Sequence, residues 1–79
     1  MNNLDKLKEA FSRGLNIELS AINESLAYQK NPKWDSISHM VLISEIESEF
    51  DISIETDDVI DISSFGKAKE IMTKYSINF

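Results

Sequence analysis

The sequence has 79 residues and contains no cysteine, which excludes disulfide frameworks, thiolate nucleophiles and zinc sites built on thiolates. Glycine and proline are scarce, with two and one residues, and about 42% of the chain is hydrophobic. That composition is typical of a compact helical domain and not of a disordered chain. The longest apolar run, Met40 to Ile43, is far too short to cross a bilayer. No basic segment precedes an apolar run at the N-terminus, so a cytoplasmic protein with a single domain over residues 1–79 is expected.

Basic residues are absent between Lys33 and Lys67, whereas that stretch holds nine of the 14 carboxylates in a chain of net charge −6. An acidic middle of this kind repels nucleic acid and anionic lipid and attracts basic protein surfaces. Nucleic-acid binding and membrane insertion are therefore not expected. The segment from Asp51 to Asp61 lacks the glycine and the ligand order of a calcium loop, so no metal site is expected either. With a single histidine and no candidate triad, no catalytic residue is expected.

Hydrophobic periodicity predicts an all-α fold, a small four-helix bundle with three main helices, one short helix and a long first loop. Apolar residues of the long loop, Leu15 to Trp34, are expected to anchor it, with one short helical turn after Ser20. The predicted helices are Asn3–Gly14 with Asn3 as N-cap and Gly14 as its end, Asp35 or Ser36 to Phe50, Thr56–Asp61 with Thr56 as cap, and a last helix capped by Ser63 or Ser64.

The second predicted helix begins with Asp35-Ser36-Ile37. A serine in the first turn is exposed at the positive end of the helix dipole, where an added phosphate is stabilised. Ile37 and Val41 point away from the predicted core one turn apart, and a partner surface explains such exposed apolar residues. Serine and aspartate are also ordinary helix caps, so the tripeptide alone does not separate attachment from capping.

The segment from Trp34 to Asp51 resembles the signature of the acyl carrier protein family, an Asp-Ser-Leu motif followed by a helix that ends in an acidic-Phe-Asp or Phe-Gly turn. The likeness extends through Ile54, Asp57-Asp58 and Ile62 to the last helix, at the length of a stand-alone bacterial carrier protein. The sequence departs from the family pattern at Ile37, at Val41, where many fatty-acid carriers have glutamate, and at Trp34, where a small residue is common.

This resemblance implies that Ser36 carries a covalent 4′-phosphopantetheine arm from coenzyme A, with Asp35 in the same attachment motif. The thiol of the arm holds an acyl group as a thioester, and the chain itself is not an enzyme. The implied partners of this monomer are a phosphopantetheinyl transferase, an acyl-loading ligase or transferase, and acyl-processing enzymes with basic docking surfaces. The expected partner surface is Ile37, Val41, Glu45, Glu47 and Glu49, and the expected acyl pocket is Ile46, Ile54, Val59, Ile62 and Ala68.

The carried group and the pathway stay open at this point. Val41 and Trp34 favour a dedicated carrier for a specialised fatty-acid, polyketide or surface-polysaccharide pathway. One alternative is an aminoacyl carrier of the same fold, peptidyl or D-alanyl. Another is a small acidic helical inhibitor or immunity-type protein that binds a basic enzyme without any cofactor, which would have no use for a serine at this helix start.

Overall fold

A computed structural model describes residues 2–79 as four α-helices joined by loops. A short 3₁₀ turn at Leu19–Ala21 interrupts the first and longest loop. No strand forms within the described range, apart from a single antiparallel bridge between Ala27 and Ser64. The all-α, four-helix prediction is therefore confirmed. The helices are α1 at Asn3–Leu15, α2 at Ser36–Phe50, α3 at Thr56–Asp61 and α4 at Phe65–Thr73.

Helix α1 has its N-cap one residue earlier, and its end one residue later, than the sequence predicted. Asn2, not Asn3, is its N-cap, because the Asn2 side chain accepts from the backbone N–H of Asp5 at 2.8 Å. The prediction that Gly14 ends the helix was wrong, since the helix runs to Leu15 and its C-cap is Asn16, with φ 55°. Gly14 is needed instead for close packing of α1 on α2: a Cβ atom there would lie 2.6 Å from the Cα atom of Leu42.

The first loop is anchored by buried side chains, as expected for Ile22, Leu26 and Trp34, whereas Leu19 is half exposed. Trp34 has no exposed surface and meets the ring of Phe11 edge-on at 5.4 Å between centroids. Two backbone hydrogen bonds also fasten this loop to the start of α4, from Tyr28 to Ser63 and from Phe65 to Leu26. The residues immediately before α2 are therefore held in place on the core.

The two shorter helices differ in how they begin. Thr56 was predicted to cap α3, but the cap residue is Glu55, which makes no side-chain capping bond, and Thr56 is already helical. Helix α4 is capped as predicted by one of the two candidate serines, because Ser64 Oγ accepts from the backbone N–H of Lys67 at 3.0 Å. A helix of six residues without a side-chain cap depends on tertiary contacts for its stability.

Asp58 supplies one such contact, fastening α3 to the end of the chain. Its carboxylate is 4% exposed and accepts from Lys74 Nζ and from the Tyr75 hydroxyl, each at 2.6 Å. The Tyr75 oxygen in turn accepts from the backbone N–H of Glu55 at 3.0 Å. The hydrogen bonds from Lys74 and then from Tyr75 hold the pKa of Asp58 below its usual range, and Asp58 raises the pKa of both partners.

The inner faces of α1, α2 and α4 pack together in one hydrophobic core, to which the loops also contribute buried side chains. Its fully buried large side chains are Leu7, Phe11, Leu15, Trp34, Leu42, Ile46, Ile62 and Met72. Within the described residues, none of the helices is long and apolar enough to cross a membrane.

Candidate functional site

Ser36 is the first residue of α2 and is exposed, as the sequence predicted. Asp35 is the N-cap, because its side-chain Oδ1 atom accepts a hydrogen bond from the backbone N–H of Ser38 at 2.9 Å. Its backbone carbonyl oxygen accepts another from the backbone N–H of His39 at 2.8 Å. The hydrogen bond from Ser38 is the main reason that the pKa of Asp35 is lowered. Asp35 thus fixes the start of the helix and leaves the Ser36 hydroxyl free to face solvent.

This helix start fits a group joined through a phosphate. The first N–H groups of a helix have no intrahelical acceptor, and the dipole of a 15-residue helix places partial positive charge there. The Asp35 carboxylate opposes an added negative charge, but both groups would stand in water, where such repulsion is screened. The exposed hydroxyl and the positively polarised terminus are therefore compatible with a phosphodiester on Ser36 Oγ.

The rings of Trp34 and His39 form a hydrogen-bonded pair next to this helix start. Trp34 Nε1 donates to His39 Nδ1 at 3.0 Å, and the two rings stack with centroids 6.1 Å apart. His39 Nε2 lies 2.7 Å from the carbonyl oxygen of Val59, so a neutral ring with its proton on Nε2 satisfies both contacts. His39 is half-buried with both nitrogens bonded, as expected for a structural histidine. The residue before Asp35 is thereby linked through α2 to α3.

An open cavity of about 240 Å³ lies beside this pair of rings. His39 is three residues after Ser36, which places the two side chains next to each other on the helix surface. One wall residue of the cavity, His39, therefore lies within one helical turn of Ser36. Its walls are Tyr28, His39, Ile60, Ile62 and Ser63.

Exposed apolar side chains follow Ser36 along the outer face of α2. Ile37 is 78% exposed and Val41 46%, so the two residues predicted for a partner surface do lie in solvent. Sequence reasoning missed Met40, which is 59% exposed, and Ile60 on α3, which is 72% exposed. We call Ile37, Met40 and Val41 the apolar patch. Met40 follows Ile37 by three residues, so the helical spacing that placed Val41 in solvent could also have identified it.

The three acidic residues predicted for the same surface all have partners within the chain. Arg13 of α1 pairs with Glu45 at 3.1 Å and with Glu49 at 3.8 Å. Glu47 Oε2 accepts from the backbone N–H of Ile54 at 2.8 Å, which ties the loop after α2 to the helix. Nothing in the local sequence around these acids indicated the Arg13 contact, because it depends on how α1 crosses α2. The charge offered to a partner here is lower than the sequence suggests.

The five residues predicted for an acyl pocket belong to the core or pack against it. Ile46 and Ala68 have no exposed surface, and Ile54 is 8% exposed. Val59 is partly buried at the edge of the core. Only Ile62 lines the cavity beside His39. No group of three or more histidine, aspartate or glutamate side chains in residues 2–79 is arranged to hold a metal ion.

A search of known proteins identifies a relative that aligns with most of the chain. The chain is 33% identical over 69 residues to the acyl carrier protein of Buchnera aphidicola subsp. Schizaphis graminum, across 86% of this chain and 87% of that protein. No protein-family model and no solved structure matches the chain. The aligned region is long enough to include the helix that begins at Ser36 and most of the fold around it.

Proposed function

The chain belongs to the acyl carrier protein family, and on that premise we propose that residues 1–79 form one carrier domain that bears acyl groups on a 4′-phosphopantetheine arm attached to Ser36. Members of the family are carriers and not enzymes. The observation that supports Ser36 is its exposed hydroxyl at the start of a helix whose cap, Asp35, leaves that hydroxyl free. Because the chain has no cysteine, any thioester must form on a thiol that is brought in and attached.

The side chains around Ser36 present this hydroxyl to a loading enzyme. The arm, when attached, supplies the thiol that holds the acyl group. Asp35 fixes the geometry of the helix start, and the helix dipole stabilises the negative charge that the phosphate adds at Ser36. Trp34 is buried and hydrogen-bonded to His39, so the segment before the attachment point does not need to fold when an enzyme arrives.

The partner enzymes would bind next to the attachment point, on the apolar patch and the acids flanking it. Ile37 and Val41 supply exposed apolar area close to Ser36. Glu45, Glu47 and Glu49 together carry three negative charges, and the single positive charge of Arg13, shared between Glu45 and Glu49, offsets one of them. Glu47 keeps its charge, but its Oε2 atom is occupied by the hydrogen bond from the backbone of Ile54. We therefore expect a phosphopantetheinyl transferase and acyl-loading and acyl-processing enzymes with basic docking surfaces to use both the apolar contact and the negative charge that Arg13 leaves uncompensated.

The expected setting is a specialised fatty-acid, polyketide or surface-polysaccharide pathway in the cytoplasm. Val41 and Trp34 support this proposal, because one makes the docking face more apolar and the other fills the space behind the attachment point with an aromatic ring. An aminoacyl group on the same arm would use the same side chains. Loading assays with acyl-specific and aminoacyl-specific ligases separate these two cargoes.

The decisive experiment is intact-mass measurement after incubation with coenzyme A and a broad-specificity phosphopantetheinyl transferase. The wild-type chain should gain the mass of one phosphopantetheine group, and the Ser36→Ala variant should gain none. Ser44→Ala is the matched control, since it removes an exposed hydroxyl from the middle of the same helix and should leave loading unchanged. An unmodified wild-type chain, or modification that persists in Ser36→Ala, would contradict the proposal.

A further inference from the structure

The guanidinium group of Arg13 is held against α2 by the close crossing of two helices. Arg13 stands in the last turn of α1, where the helix dipole favours a cation. The next residue, Gly14, is so near to α2 that an added Cβ atom would lie 2.6 Å from the Cα atom of Leu42. Glu45 follows Leu42 by one helical turn, so this crossing brings the Arg13 side chain to the carboxylates of the expected partner surface.

Each nitrogen atom of the Arg13 guanidinium faces a different carboxylate. Nε donates to Glu45 Oε2 at 3.1 Å, Nη2 lies 3.8 Å from Glu49 Oε2, and Nη1 lies 3.9 Å from Glu9 Oε2. Glu45 and Glu49 are one turn apart on α2, where like charges repel, and a cation shared between them lowers that repulsion. The chain thus supplies the basic group that a partner enzyme would otherwise bring to this pair.

This cluster is open to a docking enzyme. The Arg13 side chain is 45% exposed, and both carboxylates of α2 are partly exposed. Glu45 lies nine residues after Ser36, about 14 Å along the helix axis. An interface of about 800 Å² on each partner extends that far from the attachment point. An enzyme that covers Ser36 and the apolar patch therefore meets Arg13 as well.

We propose that Arg13 is a specificity-determining residue of this carrier. By occupying Glu45 and Glu49 it disfavours enzymes that bind those two carboxylates with lysine or arginine, because such an enzyme must displace a cation of its own sign. It favours enzymes that contact the apolar patch and place an acidic or neutral side chain opposite the guanidinium. Glu47 is not among the carboxylates that Arg13 contacts, so its charge remains for a basic side chain. This inference rests on the carrier function proposed for Ser36.

The test measures how substitutions of Arg13 change the loading of Ser36 by two phosphopantetheinyl transferases. The first has a basic docking surface, and its KM for the chain rises when Glu45 and Glu49 are both replaced by glutamine. The second docks without those charges, and its KM for the chain is independent of salt. Arg13→Gln removes the positive charge, Arg13→Glu reverses it, and Arg13→Lys keeps it. Intact mass gives KM and kcat at about 0.1 M and about 1 M salt, where charges act over about 10 Å and about 3 Å.

The two transferases should respond differently. For the first, Arg13→Gln should lower KM about two- to fivefold at the lower salt concentration, Arg13→Glu should lower it further, and Arg13→Lys should stay near the wild type. The value of kcat should not change, because Arg13 does not touch the reacting atoms, and at the higher salt concentration the variants should coincide. The second transferase should load all of them alike. Lys67→Gln is the matched control, because it removes one positive charge from the exposed pair with Glu70 on α4 and should leave both KM values unchanged.

A double-mutant cycle separates occupation of the two carboxylates from a general effect of net charge. In a chain that already carries Glu45→Gln and Glu49→Gln, the Arg13→Gln substitution frees no carboxylate. It should then lower the KM of the first transferase by less than it does in the wild type. An equal effect in both backgrounds would mean that Arg13 acts through net charge alone, and this would overturn the proposed competition.

The outcomes separate this inference from the function on which it rests. A chain that gains no mass on Ser36 overturns both. A chain that loads normally, but with the same KM for the first transferase in Arg13→Gln as in the wild type, overturns the role of Arg13 alone, and so does an equal response of both transferases. If no transferase with a basic docking surface responds to the loss of Glu45 and Glu49, the role is overturned as well, because Arg13 then withholds nothing. Amide spectra report whether each variant is folded, and Arg13→Gln decides if Arg13→Glu does not fold.

Discussion

The two glycines of this chain give a sharp test of the packing between α1 and α2. Both lie inside helices, Gly14 in α1 and Gly66 in α4, and neither has a positive φ. Alanine has a helix propensity about 1 kcal/mol more favourable than that of glycine in a helix interior, so propensity alone predicts that both alanine variants are more stable than the wild type. The structure predicts opposite results, because the two sites differ in what an added methyl group would meet.

At Gly14 the added Cβ atom would lie 2.6 Å from the Cα atom of Leu42, against at least 3.4 Å for ordinary contact, a shortfall of 0.8 Å or more. The obstacle is backbone, which cannot rotate away, so α1 must move off α2. Overpacking of this kind costs about 1–3 kcal/mol. After subtraction of the propensity gain, the free energy of unfolding should fall by up to about 2 kcal/mol. For a domain of this size each kcal/mol lowers the melting temperature by about 4–8 °C.

At Gly66 the nearest atom is Oε2 of Glu24, also at 2.6 Å, but it is the end of a flexible and exposed side chain. Glu24 can turn aside, although its pairing with Lys69 would be disturbed. The Gly66→Ala variant should therefore keep most of the propensity gain and be unchanged or stabilised by up to about 1 kcal/mol.

Urea unfolding followed by the fluorescence of Trp34, the single tryptophan, measures both variants. The slope with denaturant should stay the same and only the midpoint should move. A Gly14→Ala variant more stable than the wild type, as helix propensity alone predicts, would refute the close contact between α1 and Leu42.

Three further predictions concern side-chain contacts. The stability difference between wild type and Asp58→Asn should be largest between about pH 4 and 10. Below that window the difference shrinks as the pH falls through the lowered pKa of Asp58, and above the window it shrinks as the pH rises through the raised pKa values of Tyr75 and Lys74. A difference in urea midpoints that stays constant with pH would contradict this prediction. Arg13→Ala should lower the free energy of unfolding by less than about 1 kcal/mol, because its ion pairs are exposed. The same variant should associate faster with a basic partner enzyme, with a rate more sensitive to salt, and unchanged salt dependence in stopped-flow binding would argue against this prediction. Trp34→Phe should lower the free energy of unfolding by about 1–3 kcal/mol for the hydrogen bond alone, because it leaves the histidine Nδ1 atom without a donor; a denaturation midpoint equal to that of the wild type would count against that bond.

The sequence determined what depends on local periodicity and on residue type. The stripe of Leu42 and Ile46 and the capping residue Asp35 fix α2 within a residue at each end, because helical spacing and capping act over one or two turns. The same local information places Ser36 at a helix start and exposes Ile37 and Val41. The absence of cysteine, which needs no structure to establish, means that the chain supplies no thiol of its own.

Tertiary structure alone decided the features that depend on how distant segments meet. The sequence predicts Gly14 as a helix end, whereas the structure shows that its missing side chain allows α1 to contact Leu42 of α2. The residues around Arg13 in the sequence do not indicate which carboxylate it pairs with. The crossing of α1 over α2 brings it to Glu45, and this pair lowers the net negative charge of the expected docking face. The sequence shows that His39 is the single histidine, but only the tertiary structure brings its ring to the carbonyl oxygen of Val59 on α3 and into the wall of a cavity. Local propensity fixes where helices begin and which face is apolar, whereas ion pairs, close approaches and cavities are properties of two surfaces together.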